Sequence, residues 1–585
     1  PGPAEAQTAI RGLLRGEACV HQIETVVPEA ARDGWPLAYA LAWISVAGGD
    51  SVMPPWVRHQ FPEASRLVRR LRDTPCSDPE CEWCQAQNDP TVLLKRWFGF
   101  EGFRPNPAGP DGKPLQETIV ATALAKTPIL GILPTGTGKS VCYQLPALSQ
   151  FTKTGALTVV ISPLVALMAD QVEGMRRQGI TSCVTINGML SMPERQEALN
   201  QVRLGDAAML LISPEQLRSP SVRSVLNQRE VGYWVLDEAH CVSKWGHDFR
   251  PDYRYVGRFI KEYSGEEDPA PIICLTATAK PDVIQDITEH FKSKLCVVMK
   301  LLDGGAVREN LSFEIIPTDK GKKLGDVVTV LEDALPKSGT SGAIVYCSTR
   351  SATERVAAFL KERGFAAAHY HAGLKPEEKH DVQMAFANAD LRVIAATNAF
   401  GMGIDKTDIR LVVHADIPGS LENYLQEAGR AGRDRDHARC ILFFSRDDIE
   451  RQFSLSARSR LEKREIGAIL KSLRRLDRRT KQQGEVVATP GEIVREEKDL
   501  EFERDSATDD TRVKTAVSWL EEAVLLKREE NRIRVFPSCL RIRTLDEAER
   551  IIAKANMTKG YRLKLKALVQ SLITAPPDQG ISTDE

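Results

Sequence analysis

Nine short runs built almost wholly of apolar residues, falling into two series, constrain this chain more than any other feature. The first series is Ala156–Ile161, Ala208–Ile212, Tyr233–Leu236 and Ile272–Leu275. The second is Ala343–Tyr346, Ala366–Tyr370, Arg392–Ala395, Leu411–Val413 and Cys440–Phe444. A strand that is apolar throughout, rather than at every second position, has both faces buried, as in a parallel sheet covered by helices. Helical stretches separate the runs. The pattern predicts an α/β protein with two tandem doubly wound parallel-sheet domains, over residues 93–302 and 303–450. Ligands of such sheets sit beyond the carboxyl ends of the strands.

The remainder of the 585 residues reads differently. Residues 1–92 form short amphipathic helices broken by prolines, an accessory region suited to a protein partner. After Asp448 a basic helix is expected over Glu462–Arg478, a second over Pro490–Glu497 and a third over Asp510–Ala523. Alternation over Leu525–Phe536 around Glu530-Asn531 then suggests a hairpin. Three helices followed by a hairpin is the order of a winged helix, expected over 451–540, with a helical and then polar tail over 541–585. Lys471, Arg474, Arg475, Arg478, Arg479 and Lys481 could touch phosphates there, or form a solvated face.

A formal net charge of -1 neither favours nor excludes a nucleic-acid partner, since basic residues can group on one face. No run of about 18 apolar residues is present, so a membrane span is not expected. Most of the 12 cysteines are scattered through apolar segments, the usage of a cytoplasmic protein with reduced thiols. The opening Pro1-Gly2-Pro3 lacks a methionine and reads as a cloning or processing remnant of what could be a fragment. A monomer is expected.

Three segments carry chemistry. Gly131-Ile132-Leu133-Pro134-Thr135-Gly136-Thr137-Gly138-Lys139-Ser140 follows an apolar stretch and opens a helical one. Its glycines let backbone wrap a phosphate at a helix N-terminus, where free N–H groups point outward. Thr135, Gly136, Thr137 and Gly138 would line ATP, Lys139 would reach the β- and γ-phosphates, and Ser140 would ligate Mg²⁺. The stricter motif has glycine where this chain has Leu133. Next, Tyr233–Leu236 delivers Asp237-Glu238-Ala239-His240. Asp237 would hold the Mg²⁺ ion and Glu238 would orient and deprotonate the attacking water. Finally, Gln426-Glu427-Ala428-Gly429-Arg430-Ala431-Gly432-Arg433 places Gln426, Arg430 and Arg433 on the second domain. An arginine reaching the γ-phosphate stabilises transition-state charge. ATP in the cleft would then draw the two domains together, and hydrolysis would release them.

These motifs in this order resemble helicase superfamily 2, and more closely the RecQ family. The resemblance covers about residues 95–450. Phe98-Gly99-Phe100-Glu101-Gly102-Phe103-Arg104-Pro105 with Leu115-Gln116-Glu117 is similar to the family's adenine motif. By that resemblance Phe100 stacks on the base, Arg104 packs near it and Gln116 reads its edge. This chain inserts Asn106–Pro114 between them. Ser162–Met168, Ser213-Pro214-Glu215, Leu275–Ala279, Tyr370–Leu374 and Ala396–Asp405 match further family blocks. They imply RecA-like domains, with Asp405 in the nucleotide site and Ser213, His371 and Thr397 on the DNA path. Cys241–Pro251 resembles the aromatic-rich loop that couples DNA binding to hydrolysis in the family. Independently of the name, Trp245 and Phe249 offer faces to unstacked bases, and Lys244, His247 and Arg250 offer polar or charged groups. The resemblance implies a 3′–5′ motor on single-stranded and tailed duplex DNA, working in repair or recombination; the atypical ends leave genome defence open. A translocase that does not separate strands, an RNA helicase of the same superfamily and a regulatory subunit with a dead motor are the competing readings. Lys139, Glu238, Arg430 and Arg433 are intact, against the last.

Two departures stand out. Only Cys440 and Cys539 follow the arginine motif, so the four-cysteine zinc module usual in RecQ proteins is absent. Instead, Cys76, Cys81 and Cys84 cluster near the amino terminus. Their spacing suits Zn²⁺, with an iron–sulfur cluster as the alternative. His59, then Cys19, then His21 are the candidate fourth ligands.

Overall fold

The computed structural model describes residues 3–30, 34–47, 52–109, 111–188, 190–243, 250–277, 279–305, 308–319, 321–336, 338–400, 406–450, 461–480, 486, 488–496, 507–528, 534–535, 542, 544–554, 559–574 and 581–582. The chain forms two compact units, Pro1–Leu217 with Ser221–Leu461, and Glu462–Glu585 with Arg218–Pro220.

The first unit contains two parallel sheets. One has seven strands: β1 (Ile129–Ile132), β2 (Leu157–Ile161), β3 (Cys183–Ile186), β4 (Met209–Ile212), β5 (Val231–Asp237), β6 (Ile272–Thr276) and β7 (Lys300–Asp303), in the order β3-β4-β2-β5-β6-β1-β7. The other has six: β8 (Leu311–Pro317), β9 (Gly342–Tyr346), β10 (Ala367–Tyr370), β11 (Val393–Ala396), β12 (Ile409–His414) and β13 (Ala438–Phe444), in the order β10-β11-β9-β12-β13-β8. All nine expected runs are strands. The central ones are buried at every position, as β2, β4, β6, β9 and β11 show. Two apolar clusters cover the faces of the first sheet. Leu130, Val159, Trp234 and Phe291 lie in one, Ile129, Val160, Tyr233 and Ile273 in the other. Neighbours along a strand thus point to opposite layers, the physical reason for continuous apolar runs.

The proline-punctuated amino-terminal region is helical, with Pro55, Pro62 and Pro90 each opening a helix. A fixed φ and a missing N–H suit proline to that first helical position. The region is bound to the first sheet domain by buried charge. Asp73 pairs with Lys126 at 3.0 Å and Lys153 at 3.5 Å. Lys153 also donates to Asn88 Oδ1 at 2.7 Å, and Ser149 to the Gln87 carbonyl at 3.2 Å. Burial works to raise the Asp73 carboxyl, but the Lys126 and Lys153 ammoniums hold it below its ordinary value.

In the second unit, helices Lys463–Thr480, Pro490–Glu496 and Ala507–Glu522 fall where the sequence placed them. The expected hairpin does not appear as read. Leu525–Arg528 form no strand, and Arg534–Val535 pair antiparallel with Ile581–Ser582 instead. Alternation is a local signal and cannot name a partner strand as distant in sequence as Ile581–Ser582. The expected turn at Glu530-Asn531 lies outside the described residues. Helices Leu545–Lys554 and Lys559–Thr574 pair through Ala548, Ile552 and Val569. Lys471, Arg474, Arg475 and Arg478 are exposed, while Arg479 and Lys481 are outside the described side chains. No described helix is long and apolar enough to cross a membrane.

Candidate nucleotide site and its motor motifs

The glycine loop leaves the carboxyl end of β1 and enters helix Val141–Thr154. Gly136 and Gly138 both sit at φ +83°, a left-handed conformation costly for any residue with a Cβ. A Cβ at Gly138 would lie 3.0 Å from Gln116 Nε2, and one at Gly136 would lie 3.2 Å from Arg308 Nη1. The loop is therefore hemmed in by the side chains that flank it. The two left-handed glycines curl the backbone into a cradle at the end of β1.

β5 ends on Asp237, fully enclosed at the carboxyl edge of the sheet. Glu238 follows in the left-handed region at φ +50°. Strain of this kind in a non-glycine residue persists where the surroundings fix it, commonly at functional sites. Glu238 Oε1 accepts from Lys139 Nζ at 3.1 Å, and His240 Nδ1 lies 3.4 Å from Glu238 Oε2 and 2.9 Å from Thr276 Oγ1. Gln171 Nε2 donates to Ser140 Oγ at 3.4 Å. Burial, then the neighbouring Glu238 charge, pushes the Asp237 carboxyl up to about 6, with Lys139 opposing. Two carboxylates, an ammonium and a hydroxyl thus meet beside the cradle. That donor set would suit a Mg²⁺–triphosphate, with Ser140 and Asp237 the residues able to hold the ion and Lys139 able to exchange its carboxylate partner for phosphate. Mg²⁺ bound there would polarise the terminal phosphate.

The adenine-motif residues converge despite the insertion. Asn106–Pro114 folds out and back, with Gly109 N–H bonding the Lys113 carbonyl at 2.7 Å and Leu115 N–H the Pro107 carbonyl at 2.9 Å. Gln116 then opens helix Leu115–Leu124. Its Oε1 accepts from Arg104 N–H at 3.2 Å, and its Nε2 donates to the Thr137 and Gly138 carbonyls at 2.8 and 2.9 Å. Arg104 donates to the Gly136 carbonyl. Phe100 stands 53% exposed, an open ring face.

From the second sheet, helix Leu421–Ala428 carries Gln426 and leads to the arginine motif. Arg433 Cγ lies 3.3 Å, and the Gly429 carbonyl 3.6 Å, from where a Cβ on Gly136 would stand. Arg430 is buried and borders Tyr346. Arg308 was not foreseen. It donates to the Gly429 carbonyl at 2.9 Å, to the Gly432 carbonyl and to the Thr135 carbonyl at 3.4 Å. Asn310 Nδ2 also donates to the Gly432 carbonyl at 2.9 Å. One guanidinium therefore braces the arginine motif and touches the phosphate loop.

The nucleic-acid candidates are less complete. Lys244, Trp245, His247 and Phe249 lie outside the described residues, as does Asp405. Arg250 donates to the Pro163 carbonyl at 2.8 Å. Ser213 and Thr397 are half-buried at the carboxyl ends of β4 and β11. His371 is turned inward, 6% exposed, with Nε2 3.1 Å from Glu354 and its ring stacked on His369. At the cysteine cluster, His59 is excluded as the fourth group: it is exposed on helix Pro55–Gln60, while Cys19 reaches the other three sulfurs.

Comparison with known proteins agrees with this layout. Residues 113–287 match the DEAD/DEAH box helicase family, and residues 326–435 match the helicase conserved C-terminal domain. The chain is 39% identical to the ATP-dependent DNA helicase RecQ of Bacillus subtilis over 64% of its own length and 59% of that protein. It is 38% identical to the RecQ of Pasteurella multocida, over 61% of this chain and 52% of that one. It is 38% identical to the ATP-dependent helicase SGS1 of Saccharomyces cerevisiae, over 61% of this chain and 24% of that one. The helicase core of this chain belongs to the RecQ family of superfamily 2. It spans only 52 to 59% of the two bacterial RecQ relatives, and the amino-terminal region and second unit lie outside the matched family models.

Proposed function

We propose that this protein is an ATP-dependent DNA helicase moving 3′ to 5′ along single-stranded DNA. The observation that carries the reading is the meeting of two half-sites. The cradle, Lys139 and the Asp237-Glu238 pair come from one sheet, and Arg433, braced by Arg308, comes from the other. Asp237 and Ser140 hold Mg²⁺, Glu238 takes the proton of the attacking water, and Arg433 stabilises charge developing on the γ-phosphate. Arg430 supports the same loop from Tyr346. Phe100, Arg104 and Gln116 take the adenine. Because the two half-sites lie on different sheets, nucleotide occupancy is coupled to domain closure, and closure to steps along the strand. The family likeness supports DNA over RNA, the 3′–5′ direction and a role in repair or recombination, and the atypical ends suit genome defence as the other role. The exposed basic face of helix Lys463–Thr480 suits phosphate contact in a winged-helix-like domain.

The test compares ATP hydrolysis stimulated by single-stranded DNA and by RNA of one sequence, with Lys139→Ala as the inactive control. Stimulation by DNA at least tenfold above RNA is expected. Equal or greater stimulation by RNA would reverse the substrate, and hydrolysis indifferent to both would remove the motor.

A further inference from the structure

Cys19 lies on the turn between helices Pro3–Leu13 and Val20–Ala30. Cys76, Cys81 and Cys84 lie between helix Pro62–Arg72 and the first turn of helix Glu82–Asn88. Chain segments 62 residues apart thus bring four thiols to one point. Cys19 and Cys81 sulfurs are 3.7 Å apart, and Cys76 and Cys84 sulfurs 3.6 Å. Cys19, Cys76 and Cys81 sulfurs and a His21 ring nitrogen all lie within 4.8 Å of one another, and Cys84 joins them through Cys76. All four cysteines are free thiols, and Cys19, Cys81 and Cys84 are buried.

A thiol is a weak donor and a weak acceptor, so four of them gain little from one another. Disulfides would use only pairs, at about 2.05 Å. A metal uses all four. With Zn–S bonds of about 2.3 Å, a tetrahedron of sulfurs has edges of about 3.8 Å, close to the two separations observed. A four-iron cluster is itself a cage of iron and sulfide and holds its thiolates much further apart, so the geometry favours a single ion.

The surroundings are those of a metal–thiolate centre. The Cys76 N–H points at Cys84 Sγ at 3.4 Å. His21 Nδ1 lies 3.5 Å from Cys76 Sγ, and its Nε2 lies 3.6 Å from Asp78 Oδ2. His21 Nδ1 also lies 4.0 Å from Cys19 Sγ, so the imidazole borders two of the sulfurs. Asp78 holds the far side of the ring, and four thiolates complete a tetrahedron with His21 beside it.

We propose that Cys19, Cys76, Cys81 and Cys84 bind one structural Zn²⁺ ion that staples the amino-terminal helices to the nucleotide-binding domain. Binding releases the thiol protons to solvent. The staple has a defined target. Helix Glu82–Asn88 starts at Cys81, and its Gln87 and Asn88 bond Ser149 and Lys153 of the helix that follows the phosphate cradle. The next helix, Pro90–Phe98, runs directly to Phe100 and Arg104. This zinc lies at the opposite end of the chain from the module that RecQ relatives carry after the arginine motif, and its place implies support of the nucleotide site rather than of the duplex.

The test is metal analysis of the full chain purified without chelator, combined with zinc release on titrating the thiols with a mercurial. One zinc per chain is expected, retained by His59→Ala and His21→Ala. Cys19→Ser is expected to lose zinc to a competing chelator at least tenfold more readily. Should Cys19→Ser fail to fold, cobalt exchange into the unmutated chain reads the same site through its thiolate charge-transfer and tetrahedral visible bands. No zinc bound, iron with labile sulfide in its place, or undiminished zinc in Cys19→Ser would each overturn the proposal, as would cobalt lacking thiolate bands.

Discussion

Arg308→Ala isolates the brace between the two half-sites. The side chain donates to the Gly429 carbonyl at 2.9 Å and to the Gly432 carbonyl, and it reaches the Thr135 carbonyl at 3.4 Å. Gly432 keeps Asn310 as a second donor, but Gly429 loses its charged one. A hydrogen bond from a charged donor contributes about 1.5–3 kcal/mol. Loss of one such bond from the closed state alone, at about 1.4 kcal/mol per tenfold, lowers the rate by roughly 10- to 100-fold. The bond orders a loop that acts in the transition state, so the loss should fall on kcat for DNA-stimulated ATP hydrolysis, with KM for ATP little changed. Arg308→Lys keeps the charge but cannot fork between two carbonyls, and should recover only part of the rate. A kcat for Arg308→Ala within about twofold of the parent would refute the brace, as would a loss confined to KM.

Further outcomes follow from the same geometry. Glu238→Gln should stop hydrolysis and tighten ATP binding, because the attraction holding Lys139 at 3.1 Å, about 5 kcal/mol before competing solvation at an effective dielectric of 20, no longer opposes phosphate. A fluorescent ATP analogue reads this, and unchanged or weaker binding would contradict it. Asp237 must be ionised to hold Mg²⁺, and its carboxyl is raised to about 6. Hence kcat/KM for MgATP should be full above neutral pH and fall about tenfold per unit below pH 6; a profile flat to pH 5 would refute it. Asp73→Ala leaves Lys126 and Lys153 without their buried carboxylate, and should cost about 3–5 kcal/mol, read as a lower urea midpoint. An unchanged midpoint would mean that the amino-terminal region is not bound through this pair.

How much the sequence disclosed follows from how local each signal is. The buried central strands were legible because both faces of each are covered, leaving no polar position to blur the run. Strands β1, β3, β7 and β8 were not among the nine runs: β3, β7 and β8 are sheet edges, β7 mostly exposed and β8 alternating, while β1 was read only as the apolar stretch before the glycine loop. The cradle and the acidic pair are contiguous in sequence and were placed residue by residue. Arg308 was missed because its role arises only when β8 brings the preceding linker alongside the arginine motif. The pairing of Arg308 with Asn310, two donors aimed at Gly432, is a signal that spacing alone does not interpret. Cys19 ranked below His59 for a similar reason: proximity in sequence favoured His59, whereas the helical turn that presents Cys19 decides the question in space. Local alternation at Leu525–Phe536 suggested a partner that the described strand Arg534–Val535 does not use.

The direct test of the central claim is ATP-dependent unwinding of one duplex bearing either a 3′ or a 5′ single-stranded tail, with Glu238→Gln as the inactive control. The account predicts opening of the 3′-tailed duplex alone, abolished in the variant. Opening of the 5′-tailed duplex would contradict the direction, and vigorous DNA-stimulated hydrolysis with neither duplex opened would make the protein a translocase that does not separate strands.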